Sequence, residues 1–85
     1  MNSIQDELMD ELYFLTTFSS LCGRIEWTDD HEKALISLLR KGFVNQLAFD
    51  NHTNDFVKRA APDIVNLHRF SYLASKKGLL AHSGM

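Results

Sequence analysis

Apolar residues in the first quarter of this chain recur at steps of three and four, a spacing that a helix gathers onto one face. Ile4, Leu8, Leu12, Leu15, Phe18 and Leu21 form the stripe, and Tyr13 and Phe14 widen it. Ser3 is a good N-cap with Asp6 at the capping-box position. Asp6 and Glu7 suit the positive end of the helix dipole. Gly23 fits the left-handed position that closes many helices. The pattern predicts a helix over 3–22.

Gly23, Gly42, Pro62 and Gly78 cut the chain into helix-sized pieces. Thr28 is an N-cap candidate, and Asp29, Asp30 and Glu32 load the next helix start with negative charge. Ala34, Leu35, Leu38 and Leu39 give that helix its apolar face, and Arg40, Lys41 and Gly42 suit its end, so it runs over 28–41. Phe43 to Phe49 reads either as a short helix or as an ordered loop. Asp50-Asn51-His52-Thr53-Asn54 is a turn cluster, because these side chains compete for backbone hydrogen bonds. Thr53 or Asn54 then caps a short helix over 53–61.

Pro62 lacks an N–H and is favoured at a first helical position. The last helix therefore starts there and runs over 62–77, with Ile64, Leu67, Phe70, Leu73 and Ala74 inward and Gly78 as its stop. No alternating strand pattern of useful length is visible, and only Arg24 to Trp27 reads as briefly extended. The expectation is an all-α fold: a small bundle of about four helices, the last starting at Pro62. Residues 1–78 form one helical domain and 79–85 a frayed tail. Leu12, Leu15, Trp27, Leu35, Leu39, Phe56, Ile64, Leu67 and Leu73 are expected to be buried together.

At 85 residues the chain has a thin core, since a domain this small buries only roughly 60–65% of its unfolded surface. A partner or a second copy would add stability. Cys22 is the sole cysteine, which rules out an intrachain disulfide and fits a reducing compartment. Its apolar neighbours predict a buried, inert thiol. The acidic start does not fit a secretory signal. The most apolar stretch, Leu12 to Cys22, carries Thr16, Thr17, Ser19 and Ser20 and falls short of the roughly 20 residues of a membrane span. The sequence is read as intracellular, cytoplasmic or nuclear, and not membrane-embedded.

Charge divides unevenly. Residues 1–39 carry two basic and eight acidic side chains, whereas residues 40–85 carry seven basic and three acidic ones. Such a division either neutralises itself within the fold or leaves a basic surface able to meet an anion. Weak, unspecific duplex binding is expected unless the basic groups share one face.

No nucleophile motif, phosphate-binding glycine loop or helical metal pair is present. His52, Asp50 and Asp55 read as turn caps, His31 as a solvated helix start, and His68 as a surface or phosphate contact. Nothing pairs an acid with a base. No enzymatic activity, catalytic residue, cofactor, metal or small-molecule substrate is expected.

Trp27-Thr28-Asp29-Asp30-His31-Glu32, running into Leu35-Ile36-Ser37-Leu38-Leu39, resembles the opening of a Myb/SANT-like domain of the trihelix kind. Phe49 to Phe56 falls where that family's second helix brings an aromatic residue. Val65 to Lys77 is similar to its third helix, which mixes basic residues with aromatics. The resemblance covers residues 27–77. It implies a three-helix core of Trp27, Leu35, Leu39, Phe56, Leu67 and Phe70. It also implies a final helix that presents Asn66, Arg69, Lys76 and Lys77 to DNA, where Asn and Arg read bases and Lys positions phosphates.

Two functions follow. The leading one is a non-enzymatic regulatory or adaptor module acting through a protein partner or homodimer. Its anchors are Tyr13, Phe14, Phe43 and Tyr72, because nine aromatics are a heavy load for so thin a core and aromatics dominate interface hot spots. The alternative is a DNA-binding transcription regulator using the helix 62–77, with Arg59, Asn66, Arg69, Lys76 and Lys77 in contact with nucleic acid.

Overall fold

A computed structural model of the chain describes residues 2–83. It has an α/β fold. Four helices, α1 (Ser3–Glu11), α2 (Phe18–Arg24), α3 (Asp29–Arg40) and α4 (Lys76–His82), accompany four strands, β1 (Thr16–Thr17), β2 (Val44–Asp50), β3 (Asp55–Lys58) and β4 (Ser71–Ala74). The strands form one antiparallel sheet in the order β1-β4-β2-β3. The expectation of an all-α bundle is therefore wrong.

The first predicted helix is two helices. Its cap is Asn2, whose side chain accepts the Gln5 N–H while Gln5 reaches back to the Asn2 N–H. It ends at Glu11 because two threonines interrupt it. The Thr16 hydroxyl turns back to the carbonyls of Phe14 and Glu11, which satisfies groups the helix end leaves open. Thr17 caps α2 by accepting the Ser20 N–H. The apolar stripe breaks at this turn. Leu12 and Leu21 are fully buried, but Leu15, expected in the core, is 41% exposed. Gly23 lies inside α2 instead of closing a helix.

Helix α3 lies where its caps place it, and Gly42 follows with φ +76°, the left-handed conformation glycine adopts without steric cost. From there the expectation fails. Phe43–Phe49 is neither short helix nor loop; residues 44–50 are β2, which pairs with β3 and β4. Residues 53–61 hold the hairpin turn and β3. The Asp50–Asn54 cluster is indeed a turn, with Asp50 accepting the His52 N–H and Asn54 at φ 55°, but it joins strands. Residues 62–77 are an irregular loop, a 3-10 turn (Leu67–Arg69), β4 and the start of α4. Pro62 opens no helix.

The physical reason is which side chains face inward. On β2 the buried positions are Val44 and Gln46, while Phe49 is half exposed, so hydrophobicity does not alternate as in a half-buried strand. On the central strand β4, Ser71, Tyr72 and Ala74 are all buried, and a strand covered on both faces loses its alternation.

Helix α1 packs on α3, α3 on β2, and α4 returns to α1. The core joins Leu8, Met9 and Leu12 of the first segment to Leu35, Leu38 and Leu39 of α3 and to Val44 and Tyr72 of the sheet. Trp27 and Phe70 pack against this core while partly exposed. Phe56 pairs with Phe49 on the hairpin, ring centroids 5.3 Å apart. Residues 79–82 complete α4 and are not frayed, whereas the tail's last two residues, 84 and 85, lie outside the described residues. Gly78 does not stop a helix: it is buried within α4, and a Cβ there would fall onto the Phe43 carbonyl. Among the described residues, no helix is long and apolar enough to cross a membrane.

Candidate functional site

Two surfaces stand out, at the α1–β1 turn and at a cleft beside β2. The turn exposes three consecutive apolar side chains: Tyr13 at 46%, Phe14 at 80% and Leu15 at 41%. It is held firmly from beneath. Leu12 is buried and its carbonyl accepts the Ala74 N–H at 2.8 Å. The Tyr13 hydroxyl lies 2.9 Å from His82 Nδ1, and His82 Nε2 lies 3.2 Å from Asp10. The aromatic pair is thus displayed on a pinned turn.

The other expected anchors are placed differently. Tyr72 is fully buried and is no surface anchor. Its hydroxyl donates to the Leu67 carbonyl at 2.7 Å and accepts from Gln46 Nε2 at 3.2 Å. Burial pushes its pKa up to about 12. Phe43 is half-buried, with Lys77 Nζ 5.5 Å from its ring centroid.

The cleft has a volume of about 440 Å³ and is bounded by the end of α3, by β2 and the end of β3, and by the start of α4. Lys58, Arg59, Lys76 and Lys77 line it, and no carboxylate does. Its apolar wall is Ala60 and Pro62, both exposed, with the buried Leu39 and Val44 also in the lining. Arg59 is fixed by its backbone N–H, which donates to the Gln46 carbonyl at 2.9 Å, and by its guanidinium, 5.2 Å from the Phe70 ring centroid. Such placement of a cation over a ring is favourable. Ser75 bridges the two sides: its N–H donates to the Phe43 carbonyl and its hydroxyl to the Gly42 carbonyl.

Of the residues expected to contact nucleic acid, Arg59, Lys76 and Lys77 line this cleft, whereas Asn66 and Arg69 do not. Asn66 is committed elsewhere, since its Nδ2 donates to Asp63 at 3.1 Å. Arg69 is exposed on the 3-10 turn. The basic residues do not share a helix, so one helix cannot present them to a groove. Lys58 was missing from the expected contacts. Its signal was the repetition of basic doublets, Arg40-Lys41, Lys58-Arg59 and Lys76-Lys77.

His31, read as solvated, is buried. Its Nδ1 accepts the Thr28 N–H, which leaves Nε2 to donate to Glu7 at 2.5 Å and ties α3 to α1. Asp50 and Asp55 act as turn caps. Among the described residues, no three His, Cys, Asp or Glu side chains converge on a point that could hold a metal ion. Cys22 is half-buried, and burial raises its pKa.

The class defined here is a small α/β domain with an exposed aromatic turn and a basic cleft. Comparison with protein-family models, curated proteins and solved structures finds no match to this chain.

Proposed function

We propose that this chain is a small non-enzymatic regulatory or adaptor module that works by protein–protein contact, with Tyr13, Phe14 and Leu15 as its anchor. The observation that carries the reading is the 80% exposure of Phe14, flanked by two exposed apolar residues on a turn fixed from below. Aromatic side chains on rigid supports contribute most per residue to interfaces, because little conformational freedom is lost on binding. Exposed apolar clusters of this kind mark interaction surfaces. The partner is a protein with an apolar pocket, or a second copy of the chain.

The test is site-specific photo-crosslinking in cells that express the protein. A benzoylphenylalanine at position 14 should give a discrete protein adduct that Leu15→Asp abolishes. The same probe at Val65, 83% exposed and away from the turn in sequence, should not. Sedimentation of the purified chain, with and without Phe14→Ser, tells a second copy from a different partner. No adduct at position 14 above the level at position 65 refutes the reading.

The helix 62–77 on which a DNA-reading function depended is absent. The N-terminal turn of α3 is acidic, with Asp29, Asp30 and Glu32, so it does not replace that helix as a groove reader.

A further inference from the structure

The cleft beside β2 is independent of the aromatic turn and calls for its own ligand. We propose that it binds a compact phosphorylated small molecule of the size of a nucleoside diphosphate, with its phosphates on Lys58, Arg59, Lys76 and Lys77 and its body on the apolar wall.

Three observations carry this. First, four cations line one cavity without a carboxylate among them, although acidic residues outnumber Lys and Arg by 11 to 9 in the chain. Among the described residues none of the four forms an ion pair; those present involve Arg24, His31 and His82. Like charges held together without counter-charge repel one another, and an anion relieves that repulsion. The carboxylate that acts on Arg59 from nearby is Asp63. Its oxygens are taken up by the N–H groups of Val65 and Asn66 and by the Asn66 side chain.

Second, two of the cations are positioned in advance. Arg59 is fixed by its backbone bond to Gln46 and its place over Phe70, and Lys77 sits over Phe43. Cations placed before binding cost less entropy to engage.

Third, the size fits. A volume of about 440 Å³ lies within the roughly 300–1,000 Å³ of ordinary small-ligand sites. Ala60 and Pro62 offer an exposed apolar wall, and Asn45, also in the lining, offers a side-chain amide with no hydrogen-bond partner among the described residues. Bare phosphate would leave that wall unused. A long polyanion is disfavoured, because α1, the start of α3 and the hairpin turn carry Asp6, Glu7, Asp29, Asp30, Asp50 and Asp55.

The test uses the full chain and three probes: a fluorescent ADP analogue, pyrophosphate and a 20-nucleotide DNA duplex. ADP should shift the backbone amide resonances of Gly42, Asn45 and Lys77, and should bind at least tenfold more tightly than pyrophosphate. Lys76→Gln with Lys77→Gln should weaken ADP at least tenfold while circular dichroism stays unchanged, and Arg69→Gln should leave it unaltered. Should the double variant unfold, Lys58→Gln, on β3 and not on α4, supplies the same comparison. Resonance shifts away from the cleft, equal affinity for pyrophosphate and ADP, or no binding at millimolar ADP overturns the proposal. So does tighter binding of the duplex than of ADP, which would make the cleft part of a nucleic-acid surface.

Discussion

Gln46 grips the backbone of Asp63 with both ends of its side-chain amide: Nε2 donates to the Asp63 carbonyl at 2.8 Å and Oε1 accepts the Asp63 N–H at 2.7 Å. The amide acts as a peptide group set crosswise on β2, and it pairs a loop residue as a neighbouring strand would. Gln46 Nε2 also meets the buried Tyr72 hydroxyl, which in turn holds Leu67. The loop between β3 and β4 is therefore fastened to the sheet by a connected polar network.

Gln46→Leu should destabilise the domain by about 1–3 kcal/mol, because the backbone N–H and carbonyl of the half-buried Asp63 lose their shared partner and the buried Tyr72 hydroxyl loses a donor. In a domain of this size that lowers Tm by several degrees. Hydrogen exchange should accelerate first over residues 59–70. Unchanged exchange there would show that the loop is held by something else.

Acid should loosen the same loop. The N–H and side chain of Asn66, with the Val65 N–H, hold the Asp63 carboxyl below the usual carboxylate range. A lowered folded-state pKa favours the native state above the ordinary carboxylate value, and that contribution is lost as pH falls through the folded one. Asp63→Asn should flatten the acid limb of the stability curve measured by urea melts between neutral pH and pH 2.

Tyr72 supplies the alkaline counterpart. Its pKa is raised to about 12 by burial, against roughly 10 for a free tyrosine. The folded state keeps the proton where the unfolded state releases it. The stabilisation is thus complete below about pH 10 and falls away between about 10 and 12, by roughly 2–3 kcal/mol. Tyr72→Phe should remove that slope from the pH dependence of stability. It should also lower stability at neutral pH, because the Leu67 carbonyl is left with only the long 3.4 Å bond from the Phe70 N–H and Gln46 Nε2 loses the phenol oxygen. Ultraviolet titration should show a phenol that ionises only as the protein unfolds.

Gly78→Ala should undock α4. The new methyl group would collide with the Phe43 carbonyl, a rigid backbone atom already engaged by the Ser75 N–H. Overpacking of this kind costs about 1–3 kcal/mol. The Tyr13–His82 contact should break with it, visible as altered His82 resonances. An unchanged melting temperature would mean that α4 shifts freely.

Cys22 should react slowly with iodoacetamide at neutral pH, because burial raises its pKa and the thiolate is the reactive form. Unfolding in urea should accelerate the reaction by an order of magnitude or more. Equal rates in the two states would show an accessible thiolate.

Elements whose signals are local can be read from the order of residues alone. The caps and apolar face of α3 and the left-handed Gly42 are legible because each depends on residues within a turn or two. So is the turn at Asp50–Asn54, and so is the division of charge along the chain. The sheet was not legible. Its central strand is buried on both sides, and its longest strand turns a glutamine inward to partner a loop seventeen residues away. Neither leaves an alternating pattern, since long-range pairing satisfies these residues and no neighbour in sequence does. Only the tertiary structure brings Lys58-Arg59 beside Lys76-Lys77, because strand pairing and the docking of α4 close that distance. Only the Thr16 turn, bonded back to Glu11 and Phe14, lifts Phe14 and Leu15 out of an apolar stripe that would otherwise have buried Leu15.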